Sequence, residues 1–477
     1  MKRTYLIVFS SLLLAMVASC TSTKTIKEKT DCTKIKHLEW SRQAVIYEVN
    51  LRQYTNEGTI KSFERHLPQL KKLGVDILWF MPVYPISEKN RKGELGSYYA
   101  IQNYKAINPE YGSIEEFKEM VKKAHQLGFK VILDWVANHT GCDNVWVEQH
   151  PDWYVKDSIG NFVGPYDWTD TYKLDYSNKE MRKGMIDAMS FWVKHCNIDG
   201  FRCDVAFEVP VDFWETARTQ LDSIKPIFML AEAENRELTY KSFDMLYNWP
   251  IKDVTNQIAK GKDAKKAEYI HESLSSKDKS PIKTAEDIDV VLAKQDSVYP
   301  CDVYLMNFIT NHDENSWSGT EFERLGDGVK AFAILAYTLN GMPLIYTGQE
   351  VGFNHRFKFF AKDIAPTWEE NDTFRFYQKL NQLKHSQQAL AAGKNGGKMI
   401  RYQTSNDKAV YVFSRQLDKK NEVLVMLNLT PNTVNINFID KTPKGKFKNY
   451  FDDTTFSFDD KGATISMKPW EYRVYVK

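Results

Sequence analysis

Eight short β-branched and aromatic runs alternate with helix-period segments along most of this chain, and no other feature constrains its fold as tightly. The runs are 44–50, 75–83, 130–136, 200–206, 227–233, 243–249, 303–310 and 343–346. Helix-period segments lie between them at 62–72, 114–127, 179–195, 211–223 and 328–339, with Ser62, Ser113 and Asn178 placed as N-caps. Strands that alternate with helices imply a parallel sheet, and eight such units predict a closed (β/α)8 TIM barrel over residues 41–390. On pattern alone, the alternative is an open doubly wound sheet.

Two stretches interrupt the alternation. Residues 140–175 follow the third run and carry Trp146, Trp153, Tyr154, Tyr166 and Trp168. They are too long for a bare connection and predict an inserted domain. Residues 260–300, rich in Lys, Ser and Asp, read as a surface excursion between the sixth and seventh runs. The segment 392–397 has the texture of a linker. The alternating runs 409–415, 423–428, 434–438 and 472–476 then predict a small antiparallel β-sandwich domain over 397–477.

The amino terminus reads as an export signal over residues 1–19: Lys2 and Arg3, then an apolar run too short to span a bilayer. It closes on Val17-Ala18-Ser19-Cys20, which resembles the lipobox of bacterial lipoproteins and implies acylation of Cys20. An ordinary cleaved signal with a chance cysteine is the alternative. The polar, Lys-rich stretch after Cys20 reads as a flexible tether over 20–40. These features place the chain in the bacterial cell envelope, lipid-anchored, as a periplasmic or outer-membrane protein that meets the membrane through its anchor only. Of six cysteines, Cys20, Cys32, Cys142, Cys196, Cys203 and Cys301, five remain once Cys20 is acylated. Their wide, odd-numbered spacing matches no zinc pattern and predicts no disulfide framework.

Lys and Arg number 64 against 62 Asp and Glu, a net charge of +2. This gives no basic field for nucleic acid. Aromatic residues are 13% of the chain, ordinary core filling and also what a sugar-binding cleft needs.

Catalytic groups of a barrel gather at the carboxyl ends of its strands. Four of those ends carry polar groups: Asp134 with Asn138-His139, Arg202-Cys203-Asp204, Glu232-Ala233-Glu234, and Asn311-His312-Asp313. One such residue is commonly a cap or a turn former. A whole set on one rim is costly to desolvate and calls for a chemical role. Splitting a glycosidic bond needs a protonated acid over the leaving oxygen and an ionised carboxylate below the anomeric carbon. Asp204 suits the second, with Arg202, two residues earlier on the same face, expected to keep it ionised. Glu232 suits the first, its pKa expected to be raised by nearby carboxylates. Asp313, His312 and His139 can grip ring hydroxyls.

These segments resemble the conserved regions of the α-amylase family, glycoside hydrolase family 13. The likeness lies in Asp134…Asn138-His139, Gly200-Phe201-Arg202-Cys203-Asp204, Asn311-His312-Asp313, the segment from Gly341 to Glu350, and 74–82. The resemblance implies Asp204 as nucleophile, Glu232 as acid/base and Asp313 as transition-state stabiliser. Asp134, His139, Arg202, His312 and a stacking Tyr99 would line the subsite where the bond breaks. It also makes 140–175 the family's domain B and the tail its domain C. Where amylases often follow the nucleophile with Lys-His, this chain has Phe207-Glu208, and domain B ends in Lys173-Leu174-Asp175. Asn138 and Asp175 could each give calcium an oxygen, but with Glu208 in place of the usual His the expected dependence is weak or absent. The implied enzyme is a lipoprotein, retaining hydrolase of α-1,4-glucans or maltooligosaccharides that requires no cofactor. An α-1,6-acting or transglycosylating member is the alternative within the family, and a non-catalytic glucan-binding protein the alternative outside enzymes. Oligomeric state is not legible.

Overall fold

The computed structural model describes residues 31–260, 282–458 and 464–477. The expected signal, Cys20 and part of the 260–300 excursion lie outside the described residues. The eight strands close into a barrel in chain order: β1 (Ile46–Val49), β2 (Ile77–Phe80), β3 (Lys130–Val136), β4 (Gly200–Asp204), β5 (Phe228–Ala231), β6 (Met245–Tyr247), β7 (Tyr304–Asn307) and β8 (Met342–Tyr346). All neighbours are parallel, and Ile46 of β1 pairs with Leu344 of β8 to close the ring. The open-sheet alternative is thereby excluded.

Barrel strands are buried on both faces, so they read as unbroken apolar runs. Ile46, Ile77, Trp79, Ile132, Phe228, Met245, Met306 and Leu344 fill the interior as one cluster, while Tyr47, Leu78, Leu133 and Phe201 pack outward in the larger core shared with the helices.

The helix starts follow the capping chemistry. Ser113 and Glu116 form a reciprocal capping box, and Asn178 accepts from the N–H groups of Glu180 and Met181. The expected helix over 62–72 is two helices, Ile60–Glu64 and Leu67–Leu73, with Pro68 in the first turn of the second. Ser62 is not the cap; it is the third residue of a box whose cap is Thr59.

The insertion after β3 is held by an antiparallel pair, His139–Gly141 with Thr171–Lys173. Toward the carboxyl terminus, a six-stranded antiparallel sheet includes three strands that sequence patterning missed, Lys398–Arg401, Gly445–Asn449 and Thr455–Phe458. The segment 392–397 is no loose linker. Ala392 is buried and donates to Arg42 O, and Gly397 donates to Ala389 O.

The expectation of no disulfide fails. Cys32 is bonded to Cys301 across 269 residues of sequence, and Cys142, Cys196 and Cys203 are buried free thiols. Spacing arithmetic finds clustered cysteines and cannot see a pair that only the fold brings together. The tether expected over 20–40 is also corrected over 31–40. Residues from Asp31 onward lie on the barrel, with Lys34 N donating to Tyr240 O and His37 buried against Asp244. No helix among the described residues is long and apolar enough to cross a membrane.

Candidate active site

Arg202 occupies the centre of the strand ends. Its side chain is fully buried on β4, and its guanidinium meets three carboxylates at 2.9 Å each: Asp134 on β3, Asp204 on its own strand, and Glu232 just past β5. Its Nε donates to the hydroxyl of Tyr247 on β6. Arg202 and Asp204 meet because they lie two apart on one strand. The Glu232 contact is an ion pair off the N–H axis, whereas the backbone N–H of Val205 donates in line to Glu232 Oε2 at 2.9 Å. Val205 takes a left-handed conformation, φ 34°, which a β-branched residue rarely adopts. The strain lies between the two carboxylates of interest and turns that N–H toward the second.

The other half of the rim comes from β7 and β1. His312 is buried, with Nδ1 against Glu48 of β1 and Nε2 at 2.8 Å from the Tyr99 hydroxyl. Tyr99 also donates to Asp134 Oδ2 and stacks on His312 at 5.5 Å. Asp313 Oδ1 lies 3.4 Å from His312, and its side chain stays 35% exposed, so it faces the open mouth. His139 is buried beside Trp168 of the insertion at 5.2 Å. All of Tyr99, Asp134, His139, Arg202, Asp204, Glu232, His312 and Asp313 thus meet at one end of the barrel. Sequence reasoning missed Glu48 and Tyr247, which complete the set.

The electrostatics correct one expectation. Burial raises Asp204 well above the usual carboxylate range, and Glu232 and Asp134 push the same way against Arg202. One guanidinium shared among three carboxylates does not by itself hold the nucleophile candidate ionised. Burial likewise raises Asp134 to about 6 despite Arg202. For His312 burial opposes the charged form, yet Asp313 and Glu48 prevail and raise it to about 9. His139 has no such partner, and burial lowers it to about 3, so it is neutral.

The calcium expectation finds no cluster. Glu208 pairs with Lys173 at 3.1 Å and accepts from the Tyr166 hydroxyl. Asp175 Oδ1 accepts from Ser177 N in a local turn, and Asn138 Nδ2 lies against His139 Nδ1. Among the described residues no three His, Cys, Asp or Glu side chains gather as ligands. With two candidate oxygens, and Glu208 taken by Lys173, the residues do not fit a cation that wants six to eight. Lys173–Glu208 instead ties the insertion to the barrel.

The model of the alpha amylase catalytic domain matches residues 41–172 and 149–365. Alpha-amylase 3 of Dictyoglomus thermophilum is 24% identical over 83% of this chain and 87% of its own length. A cyclomaltodextrinase of a Bacillus species is 25% identical over 78% of this chain and 65% of its own. In structure, a noncanonic maltogenic alpha-amylase from Thermotoga neapolitana superposes with a TM-score of 0.80 at 29% identity, covering 91% of this chain and 99% of that one. Barrel, rim and these likenesses agree: the chain belongs to the alpha-amylase family and is a glycoside hydrolase.

Proposed function

We propose that this enzyme cleaves α-1,4-glucosidic bonds in starch-type glucans or maltooligosaccharides with retention of configuration. The observation that carries the reading is Arg202 bridging Asp204 and Glu232 at 2.9 Å each. One guanidinium spanning both favours the ~5–5.5 Å spacing of retaining pairs over the ~6.5–9.5 Å that admits a water.

In this reading Asp204 attacks the anomeric carbon while Glu232 protonates the leaving oxygen. Glu232 then takes a proton from the water that releases the sugar from Asp204. Val205 N–H and Arg202 both engage Oε2 of Glu232, which leaves Oε1 to face the leaving group. Asp313 and cationic His312 brace the ring hydroxyls, and neutral His139 contacts the sugar from the insertion side. Tyr99 presents its ring to the pyranose face. The relatives named cyclomaltodextrinase and maltogenic amylase support the glucan substrate.

Transglycosylation is the second reading. Phe207, 47% exposed and three residues past Asp204, offers an apolar platform on the side where an acceptor would replace water. We also place the enzyme in the cell envelope, anchored through Cys20. The Cys32–Cys301 bond supports export, because disulfides persist in oxidising compartments.

NMR of early products from maltotetraose tests the mechanism. The α-anomer should appear first, and the β-anomer as first product would overturn it. Products longer than the substrate would instead favour transfer.

A further inference from the structure

A ladder of aromatic rings climbs from the catalytic floor to the surface. His312 stacks on Tyr99 at 5.5 Å, and Tyr99 lies nearly parallel to Phe359 at 6.3 Å and 13°. Phe359 meets Trp317 at 5.1 Å, and Trp317 meets Phe360 at 5.9 Å. His312 and Tyr99 are buried and Phe359 is half-buried, but Trp317 is 38% exposed. A large ring at the surface is commonplace by itself. This one ends a continuous run of ring contacts that begins on the residues beside Asp313.

The ladder is rigid before any ligand arrives. Trp317 sits in a single π-helical turn, Glu314–Ser318, directly after Asp313. Glu314 anchors that turn through Lys252 at 2.9 Å and Arg324 at 3.4 Å, all three side chains buried. Asn315 Nδ2 donates to His355 O, and its Oδ1 accepts from Phe357 N, which ties the turn to the loop bearing Phe359 and Phe360. Arg52 donates to Phe359 O at 3.2 Å, and Leu95 N to Phe360 O at 2.8 Å. Gly93, at φ +62°, lets the neighbouring loop close in, since a Cβ there would fall 2.5 Å from Phe360 Cβ. Fixed rings lose little freedom when a sugar stacks on them.

Strand order gives the ladder a direction. Glu232, the acid of the proposed mechanism, follows β5 and marks where the leaving group departs. The ladder is built from loops after β7, β8 and β2, two or three strands from β5 around the eight-membered ring, in an arc about the strand opposite it. It therefore lies on the side of the sugar that stays bound to Asp204. We propose that Trp317 is a specificity-determining residue, the stacking platform for a glucose unit beyond the ring being cleaved, on the non-reducing side. The occupant is the substrate's own α-glucan chain, because the platform is continuous with the catalytic centre. This inference rests on the glycosidase reading above and adds a preference for substrates with more than one glucose on that side.

The test compares kcat/KM for maltopentaose with that for 4-nitrophenyl α-glucoside in wild type, Trp317→Ala and Trp317→Tyr. In Trp317→Ala the ratio should fall about tenfold, and Trp317→Tyr should recover most of it. An unchanged ratio, with the same proportional loss on both substrates, overturns the platform. A rise in the ratio overturns it too, since Trp317 would then be a wall that shortens the site. Melting temperatures of all three proteins identify a variant that is merely unfolded; Trp317→Tyr then carries the comparison. If wild type turns over neither substrate, the glycosidase reading fails. Titration calorimetry with maltopentaose then decides the platform alone, with weaker binding to Trp317→Ala supporting it and equal binding overturning it.

Discussion

Glu232 and Glu234 lie two residues apart on the chain leaving β5, and their surroundings differ. Glu232 is held by Val205 N–H and Arg202 inside the rim, while Glu234 is exposed and its backbone carbonyl accepts from the Tyr299 hydroxyl. Arg236, two residues further on, pairs with Asp31. Glu232→Gln should lower turnover on starch by several orders of magnitude and still form the covalent intermediate from substrates with good leaving groups. Glu234→Gln should change turnover by less than about tenfold, on the order of 1.4 kcal/mol in barrier. Steady-state kinetics of both variants on starch and an aryl glucoside check this, and reversed effects would move the acid by two positions. The residues legible in the sequence were those standing at strand ends with chemistry to advertise. Glu48 was not among them, because it sits within an apolar run and its partner His312 is 264 residues away. A carboxylate in a buried strand does carry a signal, since it demands a partner, but nothing local says which.

The strands themselves were legible as elements, and their ends were not. Residues 44–50 are apolar or buried throughout, yet only Ile46–Val49 pair as β1, because burial continues past the last ladder bond. At the other edge of the ring closure, a 3-10 turn, Gln349–Val351, follows β8 and buries Glu350 against β1, where its Oε1 accepts from the Tyr47 hydroxyl at 2.7 Å. Burial raises Glu350 to about 8, with the nearby charge of Glu321 adding to it. A carboxyl so raised keeps its proton in the folded state where the unfolded chain has already lost it. Its contribution to stability is therefore full below 4.5 and declines as pH rises toward 8. Glu350→Gln removes that dependence while keeping an oxygen for Tyr47. Relative to wild type, its Tm should rise steadily between those two pH values when followed by scanning calorimetry. A constant offset across the window would mean that Glu350 does not titrate there.

The whole molecule has a catalytic end and a closed end, and the amino-terminal segment lies across the closed one. His37 stacks on Tyr304, the first residue of β7, at 4.1 Å, and Trp40 lies 5.7 Å from Phe228, the first residue of β5. The Lys130 ammonium, which starts β3, sits 5.6 Å over Trp40. Cys32 is fastened to Cys301, three residues before β7 begins. The disulfide pins this segment where strands start, whereas Asp204, Glu232 and Asp313 stand where strands finish. Residues 31–40 thus meet the barrel on the side away from the cleft. An anchor through Cys20 would hold the rim toward solvent, open to a polymer as large as starch. Enzyme reconstituted into phospholipid vesicles through its acylated amino terminus should keep kcat/KM on soluble starch within about twofold of the soluble Cys20→Ala protein, and the same ratio should hold for maltotriose. A loss of tenfold or more on starch with maltotriose unaffected, on the order of 1.4 kcal/mol, would place the cleft against the bilayer. If Cys20→Ala instead sediments with membranes after a high-salt wash, the anchor lies elsewhere and the barrel's orientation must be reasoned from that site.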